Sequence, residues 1–265
     1  MPISAGRPRS SAAWRRRLRP VVGVAVAIGL WAAVTYSGAV NTDNVPTVGA
    51  VVSGAAESWR DLLAGLGGTL QSWAIGLGIA SVAGAACGLL VGLSRWAEAA
   101  TEAIVRMMRP LPSLALIPVA ILIAGLGVTM TSGLVAFAAF WPVFINTRYA
   151  VHQIEPKLLD SGRALGLRRW GLVRRVVLPA AAPSMATGVR VSVGLAVVVT
   201  VSVELVAGTG GLGEYVLVAQ QSGNAGEMYA GVVAGGLLGW GLNVAWRVAA
   251  DALMPWQAAA TGRAR

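Results

Sequence analysis

Charge is scarce in this chain. Only 12% of its 265 residues are charged, against about 25% in an ordinary soluble domain. Lysine, histidine and cysteine occur once each, as Lys157, His152 and Cys87. One cysteine excludes an intrachain disulfide, and within an apolar run it reads as a small core residue. One histidine, with no cysteine or carboxylate cluster around it, leaves no metal-ligand spacing. It reads as a loop residue, and no nucleophile–base pair is legible. With a single lysine outside any glycine-rich context, the phosphate-cradling pattern Gly-x4-Gly-Lys-Ser/Thr is missing, so ATP hydrolysis by this chain is not expected.

What is present is apolar and uninterrupted. No charge falls between Arg19 and Asp43, Asp61 and Arg95, Arg109 and Arg148, or Glu227 and Arg247. A helix crossing the hydrocarbon core needs about 20 apolar residues. The chain is therefore an all-α integral membrane protein of several helices. A β-barrel would show alternation in segments of about 10 residues, whereas these runs are continuous and rich in Ala, Leu and Gly. The first run, Val21 to Val40, is longer than the roughly 7–15 residues of a signal-peptide core and no small-residue cleavage site stands out. It reads as a retained helix. The net charge of +10 does not point to nucleic acid, because the bases sit in short segments beside apolar runs, where they orient a membrane protein.

Those bases predict the topology. Arg7, Arg9, Arg15, Arg16, Arg17 and Arg19 make an acid-free cytoplasmic tail, whereas 41–61 holds Asp43, Glu57 and Asp61 against Arg60 and lies outside. Residues 94–109 and 148–182 are basic and inside, so the uncharged stretch between them forms a hairpin. Residues 208–227 carry only Glu214 and Glu227 and lie outside, and the carboxyl end, with Arg247, Arg263 and Arg265 against Asp251, returns inside. The result is about six transmembrane helices, roughly 21–40, 63–93, 111–125, 130–147, 183–207 and 229–250. The third is short and carries Pro112 and Pro118, so a kinked or partly re-entrant segment is the alternative there. The domain division is a tail at 1–20, a membrane domain at 21–250 and a cytoplasmic tail at 251–265. Gly84, Gly88 and Gly92, and again Gly231, Gly235 and Gly239, recur at four-residue spacing. Close helix packing in lipid favours that pattern, and plain Gly/Ala richness explains it equally well.

The largest inside loop, 150–180, is more than basic. Pro156 can open a helix where its missing N–H is no loss, Lys157 to Leu165 reads as a short helix with Leu158, Leu159 and Leu165 as apolar points, and Gly166 is a natural stop. A second basic segment carries Trp170, Val173 and Val177 at helical spacing, and Leu178-Pro179 and Pro183 precede the next span. Arginines that only hold topology and touch anionic lipid would explain the charge but not this order.

This loop resembles the EAA loop of permease subunits in ATP-binding-cassette importers, which runs Glu-Ala-Ala, three residues, Gly, nine residues, Ile-x-Leu-Pro. Asp160, Ser161 and Gly162 fall at the first triplet, Gly166 at the glycine, and Val176, Leu178 and Pro179 at the distal positions. Ser-Gly in place of Ala-Ala departs from the pattern and lowers helix propensity by up to about 1 kcal/mol at the glycine. "RPLPSLALIPVAILIAGLG" (Arg109 to Gly127), "FWPVFINTRYAVHQIEPKLLDSGRALG" (Phe140 to Gly166) and "ELVAGTGGLGEYV" (Glu204 to Val216) look like the nitrate/sulfonate/taurine/bicarbonate-type branch.

The resemblance implies a type I importer permease fold in the cell membrane, both termini cytoplasmic. It implies a second permease copy as a homodimer, two cytoplasmic ATPase subunits that bind ATP and Mg, and an extracytoplasmic solute-binding protein. It implies no cofactor on this chain, no nucleic acid, and an oxyanion or sulfonate such as nitrate, taurine or an alkanesulfonate as cargo. A permease for another small organic solute, such as a pyrimidine or another vitamin precursor, is the alternative, and a multispanning membrane enzyme a more distant one. By the same resemblance the ATPase contact is Pro156 to Gly166, with Leu159, Asp160 and Arg163 as its points and Ser161, Gly162 and Ala164 within the helix. Gly166 is the pivot and Leu178 and Pro179 close the motif. Glu204 is a candidate for the translocation path, and equally for packing polar groups between helices or for a helix-end acid reaching the headgroups; intramembrane acids usually face the bundle interior. Arg190, low on the same helix, reads as snorkelling to the cytoplasmic face. "GTGGLG", Gly208 to Gly213, matches the dinucleotide fingerprint but follows a membrane helix instead of a strand, so it is read as a turn.

Overall fold

The computed structural model describes residues 10–42 and 44–255, with side chains from residue 22 onward. The expectations for the arginines before residue 20, for Asp43, and for Arg263 and Arg265 lie outside the described side chains. Among the described residues there are helices and no strands. In chain order they are α1 (Ser10–Tyr36), α2 (Val48–Glu57), α3 (Trp59–Gly92), α4 (Arg95–Met108), a 3-10 turn (Ser113–Leu116), α5 (Ile117–Ala124), α6 (Val128–His152), α7 (Pro156–Ala164), α8 (Arg169–Leu172), a π turn (Val173–Val177), α9 (Leu178–Ala207), α10 (Gly211–Gln221) and α11 (Ala225–Leu253).

Four helical stretches are long and apolar enough to cross a membrane: α3, α6, the continuous run Arg169–Ala207, and α11. α1 contributes a shorter apolar stretch, Val22–Tyr36. The third expected span, 111–125, takes the kinked form. A 3-10 turn leads into the eight-residue α5, about 12 Å long at 1.5 Å per residue, and the segment is bent by 86° from α4. Prolines at 110 and 112 lie in the break and cause it, since proline donates no N–H and restricts the residue before it, while Pro118 sits in the first turn of α5, where proline is tolerated. Gly125 and Gly127, at φ 70° and 134°, turn the chain into α6.

α6 is the central helix, held between α3 and α9. Their shared core contains Leu77 and Ala80 from α3, Met130, Leu134, Val135 and Ala139 from α6, and Val193, Ala196, Val199 and Val203 from α9. The α3–α6 seam is built on glycine. A Cβ on Gly76 would stand 2.6 Å from Val135, one on Gly84 2.9 Å from Val143, one on Gly88 2.7 Å from the Phe144 carbonyl and one on Gly92 2.9 Å from Val151. With no hydrophobic drive between helices in lipid, this close approach supplies the van der Waals contact that holds them. Hydroxyls and indoles add cross-links: Ser132 donates to the Ser72 carbonyl, Ser192 to that of Ala139 and Trp73 to that of Val193. The second glycine series is looser. A Cβ on Gly231 would meet Val216 at 2.6 Å, but on Gly235 and Gly239 its nearest neighbours would be 4.0 and 3.5 Å away.

Cys87 is not a core residue; it is exposed on α3. The face of α3 turned toward α6 is taken by the glycines, and Cys87 lies off it, on surface a spanning helix presents to lipid. The basic segment 94–109 is folded as a helix, α4. Ser94 caps it by accepting from the Ala97 N–H. Arg95, Glu98, Glu102, Arg106 and Arg109 follow one stripe, whereas Trp96, Ile104 and Met107 are exposed.

Candidate functional site

Two glycine-punctuated loops carry the sequence-predicted residues. The first follows α6. A turn at 153–155 leads to Pro156, the first residue of α7, and the helix closes after Ala164. Gly166 sits at φ 79°. Its N–H donates to the Arg163 carbonyl and that of Leu167 to the Gly162 carbonyl. This paired closure is a Schellman motif, which satisfies carbonyls left free at the helix end and needs a left-handed residue. Glycine enters that conformation without the steric cost of a Cβ.

Within α7, Pro156, Asp160, Ser161, Arg163 and Ala164 are exposed, Leu159 is half-buried and Gly162 is buried. The Arg163 guanidinium donates to the Asp160 carboxylate at 2.9 Å, and Ser161 donates to the Lys157 carbonyl. Leu158, Leu165 and Trp170 are the strongly exposed apolar side chains, at 47%, 83% and 75%. Leu159, expected as the apolar contact point, turns partly inward, one residue of helix rotation away from Leu158.

Gly162 has a packing reason for being glycine. A Cβ there would stand 2.6 Å from Leu172 Cδ1 and 3.3 Å from Val176 Cγ2. α7 thus rests on α8 and the π turn through the position where the motif carries alanine. The π turn ends immediately before Leu178-Pro179. Proline removes an N–H and its ring presses on the carbonyl four residues back, and the wider turn relieves that conflict inside a continuous helix. Leu178 and Pro179 are exposed there, at the root of the loop.

The second loop joins α9 to α10 at the other end of the bundle. Glu204 is buried, 1% exposed. It accepts from the Thr69 hydroxyl at 2.7 Å and from the Gly213 N–H at 3.1 Å, while Thr69 accepts from the Leu212 N–H at 2.8 Å. Gly213 and Leu212 are in the first turn of α10, whose N–H groups have no partner within the helix. A carboxylate from α9 and a hydroxyl from α3 therefore cap α10 from outside. The Glu214 carboxylate accepts from the Gly210 N–H. Gly208, Gly210 and Gly211 all have positive φ, and a Cβ on Gly213 would stand 2.5 Å from the Leu205 nitrogen and against the Val201 carbonyl. The glycines of "GTGGLG" thus let α10 lie on α9, with no strand before them. Nearby, Ser58 and Tyr215 share a 2.6 Å hydrogen bond. Burial raises the Tyr215 hydroxyl above its usual range, and the bond to Ser58 works against that.

Of the sequence-predicted residues, Pro156 to Gly166 form one helix and its stop, with Leu178 and Pro179 at its root. Glu204 belongs to a separate, buried network. Thr69 and Leu172 were not singled out from the sequence: each acts across more than a hundred residues or through a helix contact, and no local pattern marks it. Arg190 is exposed and lines a small cavity with Arg247 and Asp251. Among the described residues no cluster of His, Cys, Asp and Glu could hold a metal ion.

Residues 79–258 match the family described as binding-protein-dependent transport system inner membrane component. A putative aliphatic sulfonates transport permease of Bacillus subtilis (strain 168) is 29% identical over 79% of this chain and 76% of its own length. A nitrate import permease of Leptolyngbya laminosa is 30% identical over 71% and 67%. A bicarbonate transport system permease of Synechococcus elongatus is 30% identical over 67% and 65%. Among solved structures, a chain of the inward-facing MetNI methionine ABC transporter shares the fold with a TM-score of 0.66. It is 23% identical and covers 74% of this chain and 97% of that one.

Proposed function

The chain belongs to the binding-protein-dependent transport system inner membrane components, the multi-pass permeases of ABC importers, and on that premise we propose that it pairs with a second copy above two ATPase subunits and passes a small oxyanion or sulfonate. Energy comes from ATP and Mg bound by those partners, and the cargo arrives on an extracytoplasmic binding protein. Both termini and α7 lie on the cytoplasmic side, as the arginine distribution requires. Sulfonate, nitrate and bicarbonate permeases among the relatives support the cargo class.

The observation that carries the coupling role is the form of α7. It is a short helix, stopped sharply by Gly166, with exposed Leu158, Asp160, Arg163 and Leu165, resting on α8 through Gly162. A rigid plug of this kind transmits a rigid-body motion to the spanning helices, the form of motion that alternating access uses. The hydrogen bonds of Glu204 to Thr69 and Gly213 support a role in fixing α10 on α9.

The test is uptake by the complete complex. Gly166→Pro removes the N–H that closes the helix and cannot adopt φ 79°, and Asp160→Lys places a second base beside Arg163. Both variants should insert and assemble at wild-type levels yet lose ATP-driven uptake. Normal uptake by both would overturn the assignment of α7, and the absence of any co-purifying ATPase chain would overturn the importer reading.

A further inference from the structure

Two cavities lie one after the other along α6. One, of about 450 Å³, is walled by α6, α9 and the turn after α4, with Ser113, Phe137, Trp141, Asn146 and Leu195 among its lining. Among the described residues Arg109 is its only charged lining residue, and no carboxylate lines it. The other, of about 360 Å³, lies between α4 and α6 and is lined by Arg106, Arg109 and Arg148 with Glu102. Arg109 and Ile145 line both. Together they follow one face of α6 from Phe137 to Tyr149, three residues short of the end of α6 and seven before α7 begins. The groove is therefore apolar and aromatic deep in the bundle and basic where it reaches the coupling end.

The three arginines differ in what already satisfies them. Arg106 is paired with Glu102 within α4. Arg148, 20% exposed, stands 3.8 Å from Glu98, which His152 also approaches at 3.4 Å, and its Nε is buried without an acceptor. Arg109 has no carboxylate within ion-pair distance among the described residues. Trp141 adds a buried indole N–H that also lacks an acceptor. Two buried donors along the groove, the Arg148 Nε–H and the Trp141 indole N–H, are thus without an acceptor among the described residues. Arg148 is the partly desolvated guanidinium of the three, costly to leave unmatched, whereas Arg109 is exposed at the junction of the two cavities and open to an incoming ligand. A guanidinium is the side chain best shaped to take two oxygens of a planar or tetrahedral oxyanion.

We propose that Arg109 is the specificity-determining residue of the inner half of the path: it receives the oxyanion head of the cargo as it leaves the groove, with Arg148 completing the site. This rests on the importer reading above and adds to it a charge selection made by the permease itself, in addition to whatever the binding protein selects. A neutral solute would gain nothing at this point, whereas a nitrate, sulfonate or bicarbonate group would replace water at two guanidinium groups.

The experiment uses the whole importer, with its ATPase and binding protein, in phosphatidylcholine proteoliposomes, with nitrate, ethanesulfonate and bicarbonate as probes and a neutral pyrimidine as control. Arg109→Gln should lower the maximal uptake rate of the probe the wild type carries by about tenfold or more, the scale of one lost charge-assisted hydrogen bond. The half-saturating concentration of loaded binding protein should stay within about twofold, because docking occurs at the opposite face. Arg109→Lys, which keeps the charge but not the two-oxygen fork, should recover part of the rate, and Arg95→Gln, at the start of α4 and away from both cavities, should leave it unchanged. Wild-type rates in Arg109→Gln, or a lysine variant no better than the glutamine variant for nitrate, ethanesulfonate and bicarbonate alike while Arg95→Gln is equally impaired, would overturn the proposal. So would a loss that appears only in vesicles containing phosphatidylglycerol, which would assign the site to a lipid headgroup. Import of the pyrimidine and of no oxyanion would overturn it while leaving the importer reading intact, whereas absence of any ATP-dependent uptake or ATPase partner would overturn both.

Discussion

Gly166 and Gly213 stand in loops at opposite ends of the bundle and meet opposite demands. Around the missing Cβ of Gly166 there is open space within 4 Å, and only the backbone angle, φ 79°, asks for glycine. Gly213 has ordinary helical angles, and what asks for glycine is the backbone of α9 pressed against it. The first loop is a projecting helix that keeps its shape by local hydrogen bonds and is free to meet another molecule. The second is a sealed junction in which α3, α9 and α10 share one buried carboxylate. On the role proposed for α7, the first loop is the handle that is pushed and the second a joint that does not give.

The comparison can be broken from the sealed side first. Gly213→Val should abolish the folded protein, since its side chain meets immovable backbone and the cost exceeds the ~3 kcal/mol of ordinary overpacking. Accumulation of folded chain by size-exclusion in detergent checks this. Glu204→Ala should cost about 3 kcal/mol by leaving the Thr69 hydroxyl and the Gly213 N–H without their acceptor. It should lower the Tm while transport per folded molecule persists. Unchanged Tm with abolished uptake would instead place Glu204 on the path.

The projecting loop should respond more gently. Gly162→Ala restores the residue usual in the motif but pushes on Leu172, so it should lower coupled uptake severalfold. Leu172→Ala in the same chain should restore part of that loss, and a double-mutant cycle on uptake rates measures the coupling. Asp160→Asn removes an exposed ion pair and should shift stability by less than about 0.5 kcal/mol, read as a Tm unchanged within error. A large fall there would mean that α7 is held by its charges and not by Gly162.

Much of the shape of the loop at 150–180 is legible in the sequence because its determinants are local. Pro156 starting a helix, Gly166 stopping it and the distance to Leu178-Pro179 are properties of neighbouring residues. The Ser161-Gly162 departure from the motif was readable only as a weaker helix; that Gly162 is a contact with Leu172 depends on a fold-back no propensity encodes. The broken third span is foreshadowed by its prolines, whereas the helix within the basic segment 94–109 is marked in the sequence only by Trp96, Ile104 and Met107 recurring at helical spacing opposite its charged stripe.

The amino-acid sequence by itself determined that this is a membrane protein of several apolar helices, how its bases are distributed along the chain and which loop bears the importer motif. Those follow from uncharged run length, charge asymmetry and spacing along the chain. Only the tertiary structure decided which of two equally spaced glycine series forms the tight seam, that Glu204 and Thr69 cap a helix neither belongs to, and that Arg109 links two cavities. Each is a contact between segments far apart in the chain, set by how α3, α6 and α9 pack, and spacing within one segment carries no information about it.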